Sequence, residues 1–363
     1  MLRELPQENY FGNMEQVFAF FGAMPTGVTV SEQGRIFVNF PDWGDERDTS
    51  VAEIDGETLR PYPDEAWNRF DGDPTKRFVS VQSVVADGTG VLWVLDTAAP
   101  NFSEPLPDAA KLVAIDLKTD QVKRIYLFPD DVVLKTTYLN DVRVDYRAGR
   151  KGCAYITDSS VRGPGAIIVV DLDTGRSFRR LNGDRSTSAD PAFVPKVEGR
   201  VMMNRSPDGT VTPAAIAVDG IALSPDGKTL YYCPLSSRFL YAVSTGQLRD
   251  ESLSDRELAK SVKNRGEKGA SDGLVADANG VVYGGDYENN SIRAMMTDGT
   301  LKTIVHDPRI LWPDTLSIGP DGYLYFTANQ IERQASYQYG RDCRQKPYSL
   351  FRTKIDAMPA PSR

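Results

Sequence analysis

The sequence predicts an all-β fold: a six-bladed β-propeller whose N-terminal strand closes the last blade. Three observations predict it. One phrase recurs six times, further strand-like runs follow most recurrences, and an N-terminal run supplies what the last repeat lacks. The phrase is a polar residue, a spacer, alternating apolar residues, a Gly-containing turn and a second apolar run. It reads PTGVTVSEQGRIFVNF (25–40), VQSVVADGTGVLWVLD (81–96), LNDVRVDYRAGRKGCAYITD (139–158), VDGIALSPDGKTLYYC (218–233), SDGLVADANGVVYGGD (271–286) and PDTLSIGPDGYLYFTA (313–328).

Each phrase is a β-hairpin, because apolar residues alternate with period two and turns such as SPDG, DANG and GPDG carry Gly for positive φ and Asp or Asn for local bonding. Third strands follow at KLVAIDLKTDQ from Lys111, AIIVVDLDTGR from Ala166, FLYAVSTGQ from Phe239 and SIRAMMTDG from Ser291. Outer strands follow at VKRIYLF from Val122, SFRRL from Ser177 and LKTIVH from Leu301. After the sixth hairpin only SLFRTKI, from Ser349, is strand-like, so QVFAFFG from Gln16 completes that blade. SDRELAKSVKN from Ser254 carries a capping-box Ser and Glu and predicts a short helix. The connections 50–77 and 183–213, rich in Pro, Gly and charge, read as lip or lid loops.

At roughly 55–60 residues per repeat, six repeats absorb the whole of residues 1–363 into one domain. Composition, 40% hydrophobic and 25% charged, fits a globular protein, and no apolar run approaches the roughly 18–20 residues of a membrane helix. A net charge of −8, without a Lys/Arg-dense run beyond the SVKNRGEK loop from Ser261, argues against nucleic-acid partners and favours a small-molecule substrate or ligand. Cys153, Cys233 and Cys343 form no CxxC pair, so zinc-knuckle and dithiol redox chemistry are excluded. MLRELPQENYFGNM has no basic start before an apolar stretch, which makes a cytoplasmic location the default expectation. A chain trimmed of its leader would read the same, leaving a periplasmic or secreted location open.

Ring closure brings the leading polar positions to one axial mouth: Thr26, Gln82, Asn140, Asp219, Asp272 and Asp314. Carboxylates converging there without basic partners demand a cation, and oxygen-only donors select Ca²⁺ first, then Mg²⁺ or Mn²⁺. The bland alternative is that each Asp or Asn caps a turn. His306, the only histidine, falls in an outer strand, which removes zinc and a Ser-His-Asp arrangement; a GxxxxGK[ST] phosphate loop is also missing. A second tier, Asp96, Asp158, Asp286 and Asn329, ends the returning strands and is expected to bond neighbouring loops. Trp43 and Trp312 are placed to wall the mouth, with core packing as the alternative.

The phrases SVQSVVAD…LWVLD, KLVAIDLKTDQVKRIYLFP, YLNDVRVD…AYITDSS, GIALSPDGKTLYYCPLSSRFLYAVSTGQLRD and GASDGLVADANG follow one another as in the Yellow / major royal jelly protein family, which the chain resembles from about Phe37 to Asn329. More distantly it resembles the gluconolactonase / regucalcin group, propellers with one axial divalent metal. That group's ligands are a Glu of the first blade, Asn residues of the middle blades and an Asp of the fifth. The resemblance implies Thr26, Asn140, Asp219 and Asp272 at those positions, with Thr26 departing from Glu and Asp314 able to restore the charge.

Three functions follow as expectations. The first is metal-dependent hydrolysis of a lactone or similar cyclic ester, with metal on Asn140, Asp219 and Asp272, Asp272 or Asp314 as proton acceptor, and Thr26, Gln82, Trp43 and Trp312 against the substrate. The others are a Yellow-like isomerase of a small ring compound and a non-enzymatic ligand-binding propeller.

Overall fold

The computed structural model describes residues 10–363. Six four-stranded antiparallel sheets form a β-propeller, and two two-stranded ribbons lie outside the blades. Five blades run inner to outer in chain order; the second, for example, is Val81–Ala86, Val91–Asp96, Lys111–Asp116 and Gln121–Leu127. The sixth is assembled from both ends of the chain. Pro313–Ile318, Tyr323–Ala328 and Tyr348–Lys354 take Glu15–Phe20 as their outer strand, with Gln16 opposite Phe351 and Phe20 opposite Tyr348. Phe20, buried, then packs edge-on against Phe40 of the first blade.

Two outer regions differ from the sequence-based reading. Residues 50–77 form no lid; they contain Val51–Asp55 and Thr58–Pro61, the third and fourth strands of the first blade, and the short helix Glu65–Asn68. Charge hid these strands. Glu53 is there to meet Arg35 and Arg60, which interrupts the apolar alternation. The helix predicted from Ser254 stops at Ala259, although its capping box between Ser254 and Glu257 forms. Lys263–Glu267 is the exposed fourth strand of the fourth blade, and a wholly polar edge strand carries no apolar period to read. Residues 183–213 do supply lip structure: Met203–Arg205 pairs with Val211–Pro213, and Asn204, Thr212 and Pro213 border the axial cavity.

Two glycines set how closely the inner strands approach. A Cβ on Gly220 would stand 2.3 Å from the Asp272 carbonyl oxygen, and one on Gly273 would stand 2.6 Å from that of Asp314. Gly273 N–H donates to Asp314 O at 2.8 Å, so neighbouring blades touch backbone to backbone. Hydroxyls tie other blades: Thr157 Oγ1 donates to Asp219 O at 2.7 Å and Thr327 Oγ1 to Thr26 O at 2.8 Å. No helix among the described residues is long and apolar enough to cross a membrane.

Truncating Phe20 to Ala leaves a hole where the closing strand meets the first blade. We expect a loss of about 3–5 kcal/mol in urea unfolding, against about 0.5 kcal/mol or less for the exposed Phe21→Ala.

Candidate active site at the axial mouth

Backbone irregularity aims the polar ring. The ladder between first and second strands skips register between Val81 and Ser83, Leu139 and Val142, Val218 and Ile221, and Pro313 and Leu316. Gln82, Asn140, Asp219 and Asp314 lie inside those skips, where a bulge turns a side chain out of the sheet plane. In the fifth blade pairing starts at Leu274, so Asp272 precedes the ladder. The first blade has no bulge: Gly27 pairs regularly with Asn39, and Thr26 is held by Asn39 through backbone and side chain. Thr26 is fully buried and is not among the residues lining the cavity.

The cavity measures about 460 Å³ and brings together Gln82, Asn140, Asp219, Asp272, Asp314, Trp43 and Trp312. Asn140 Nδ2 donates to Asp219 Oδ2 and, at 2.7 Å, to Ser159 Oγ; Ser159 Oγ lies 3.0 Å from the same carboxylate oxygen. Trp312 Nε1 donates to Asp272 Oδ2 at 2.7 Å, and Asn329 Nδ2 donates to Asp314 Oδ2 at 2.6 Å. Asp219 and Asp272 are in hydrogen-bonding contact with each other. Burial holds all three carboxyls above the ordinary value of 3.8. The charge of Asp272 adds to the rise at Asp219 and at Asp314, whereas the bonds to Asp219 and Trp312 temper it at Asp272. Among the described residues Arg162 is the one basic side chain on the lining, and it donates to Phe102 O.

Opposite the carboxyls stands an aromatic wall. Trp43 stacks on Phe102 at 4.9 Å, Phe102 stacks on Tyr138 at 4.5 Å, and Trp43 Nε1 donates to the Tyr138 hydroxyl, which donates to Gln82 Oε1. Trp312 stacks on Tyr287 with centroids 4.1 Å apart. Phe102 and Trp312 both have left-handed backbones, φ 56° and 53°, a strain of about 1–3 kcal/mol each that surrounding contacts must hold. Tyr138, Phe102 and Ser159 escaped sequence reasoning. Tyr138 was findable: it stands two residues before Asn140, as Trp312 stands two before Asp314.

The second tier is mostly structural. Asp96 accepts from the Val79, Ser80 and Ala98 amides and from buried Lys111; Asp158 accepts from the Tyr138 amide, Thr137 and Arg179; Asp286 meets Asn289 and Arg293. Asn329 Nδ2 donates both to Pro25 O, at 3.1 Å, and to Asp314 Oδ2. His306 lies in the outer strand Leu301–His306 with Nδ1 against Asn289 O.

Residues 79–361 match the family model for major royal jelly protein. The chain belongs to the major royal jelly protein family. Among relatives, major royal jelly protein 1 of Apis mellifera is 30% identical over 210 residues, 56% of this chain and 45% of that one. Protein yellow of Drosophila melanogaster is 29% identical over 252 residues, 64% and 43% of the two chains. The chain thus spans less than half the length of these two relatives. In solved structures the same propeller occurs in a gluconolactonase from Xanthomonas campestris (TM-score 0.55, 12% identity, covering 94% and 89% of the chains). A calcium-binding regucalcin from Agrobacterium tumefaciens is similar too (TM-score 0.53, 16% identity, 96% and 99%).

The family match starts after the first blade, the blade whose ring position, Thr26, is turned away from the cavity. Among the described residues no three His, Cys, Asp or Glu side chains are grouped to hold a metal ion. A hard cation here would therefore rest on two carboxylates and an amide. The donors would be oxygens only, which suits a hard cation: the carboxyls of Asp219 and Asp272, whose Oδ2 atoms accept from Asn140 and Ser159 and from Trp312, and Asn140 Oδ1.

Replacing Trp312 by Phe keeps the stacking ring but strips Asp272 Oδ2 of its donor. We expect a destabilisation of about 1–3 kcal/mol in chemical unfolding, with the secondary-structure spectrum unchanged.

Proposed function

We propose that this protein hydrolyses a lactone or similar small cyclic ester at the axial mouth with a hard divalent cation, Ca²⁺ before Mg²⁺ or Mn²⁺. The observation that carries the reading is the convergence of Asp219, Asp272 and Asn140, with no basic partner on the lining among the described residues except Arg162, on a cavity of about 460 Å³. Two buried carboxyls in contact are both ionised only with a cation beside them; otherwise a proton neutralises one. Bound on Asn140, Asp219 and Asp272, the cation would supply Lewis-acid polarisation of the ester carbonyl.

The remaining work falls to the chain. The wall of Trp43, Phe102 and Tyr138 offers a flat apolar surface for a ring, while Gln82 fixes the Tyr138 hydroxyl. Asp314, raised by burial and by Asp272, is the proton acceptor: a carboxylate of raised pKa is the stronger base for a water proton. Asn329 holds one of its oxygens in place and leaves the other beside Thr315.

A second reading, proton transfer within a ring compound by an isomerase, is favoured by one feature. Asp219 and Asp272 already touch, so a shared proton neutralises the pair without any metal. Calcium separates the two.

Under hydrolysis, added Ca²⁺ raises the melting temperature of the parent, and neither Asp219→Asn nor Asp272→Asn responds; absence of any shift with Ca²⁺, Mg²⁺ and Mn²⁺ would remove the metal from the proposal. Asp314→Asn should lose lactone hydrolysis by about 100-fold or more. In the parent, kcat/KM should rise with pH through the elevated Asp314 pKa, because the base must be ionised. A product of unchanged mass with an altered absorption spectrum would instead establish the isomerase.

A further inference from the structure

Next to the axial cavity lies a second one of about 480 Å³, between residues 197–205 and 332–345. The segment 331–337 is the partition: Gln334 and Ser336 border the axial side, Glu332 and Arg333 the other, and Tyr337 both. Glu332 is 5% exposed, and among the described residues neither of its carboxyl oxygens receives a well-formed hydrogen bond; its own amide and the Glu198 carboxyl are the polar groups beside it. Arg333 brings Nε within 3.7 Å of Oε1, but its Nε and Nη2 donate to Glu198 and its Nη1 donates to Gln330 Oε1. Burial pushes Glu332 up to about 7, and the neighbouring Glu198 carboxylate adds to the rise. A buried carboxyl without well-formed hydrogen bonds is a costly arrangement in a folded protein, and it marks where a partner belongs.

The missing partner carries several N–H donors and a positive charge, as an ammonium does. A metal ion is a poorer match, since a guanidinium adjoins the carboxyls and no third acidic, His or Cys ligand is grouped with them. The whole ligand is not a simple cation. Arg205, whose guanidinium donates to the carbonyls of Val201, Met203 and Tyr337, and Arg200 also line the cavity, so three guanidiniums there face two carboxylates. We propose that this cavity binds a small zwitterion of amino-acid type, its ammonium on Glu332 and Glu198 and its carboxylate toward Arg200 and Arg205. Val197, Met202 and Tyr339 receive the carbon skeleton.

Cys343 supplies the readout. It lines this cavity and is partly exposed, whereas Cys153 and Cys233 are buried, so a neutral alkylating agent such as iodoacetamide reports on Cys343. With 4-aminobutanoate at about ten times its half-protecting concentration, alkylation of the parent should slow about tenfold. Glu332→Gln, isosteric and checked by an unchanged melting curve, should abolish that protection. Glu332→Asp, which keeps the charge but withdraws it by a methylene, should weaken it and serves if the amide variant melts early. Asp272→Asn should retain full protection, which separates this site from the axial reaction. No concentration-dependent protection of the parent, or equal protection in Glu332→Gln, would overturn the proposal. Equal protection by n-butylammonium or by butanoate would overturn the zwitterionic assignment.

Discussion

The ladder between Glu15–Phe20 and Tyr348–Lys354 is the contact on which the ring depends. Without it the sixth blade is three strands wide, Tyr348–Lys354 is an open edge, and Phe20 no longer bridges to Phe40. Closure makes the inner strands equivalent around one axis. Glycine then decides how tightly they gather: between the fourth, fifth and sixth blades the Asp-Gly pairs at 219–220 and 272–273 let one backbone rest on the next. Asp219, Asp272 and Asp314 share a volume because no Cβ keeps those strands apart.

The site is asymmetric across the axis. Blades four to six contribute carboxyls, and the opposite side contributes Gln82, Asn140 and the stacked Trp43, Phe102 and Tyr138. A ring-shaped ligand would lie against the aromatic side with its polar edge toward the acids. The carboxylates of the protein divide by their partners. Asp96, Asp158 and Asp286 have a Lys or Arg and several donors each, and they lock loops. Among the described residues Asp219, Asp272 and Asp314 form no ion pair, and departures from satisfied burial are where chemistry is expected. Glu332 departs in the same way on the far side of the partition.

Legibility followed burial. Strands with an apolar face, such as Val91–Asp96 and Ala166–Asp171, announced themselves by alternation and composition. Lys263–Glu267, exposed along its length, did not, and Thr58–Pro61 was lost among charges that answer to Arg35 and Glu53. Of the cavity residues, those at the repeated polar position were visible as a register. Phe102, on a short turn after the second hairpin, belonged to no repeat and carried no signal.

By itself the sequence determined the number of blades, the strands that bury an apolar face and the closure by the N-terminal run, because these follow from local alternation and turn chemistry repeated along the chain. Which polar residues face the cavity was decided by tertiary structure. A bulge shifts the pleat by one residue and thereby changes the face on which a side chain emerges. Asn140, Asp219 and Asp314 sit in such bulges, while Thr26, at the same place in the phrase, sits beside a regular ladder and accepts from Asn39 Nδ2 at its hydroxyl. Identical register in sequence therefore became different geometry in space.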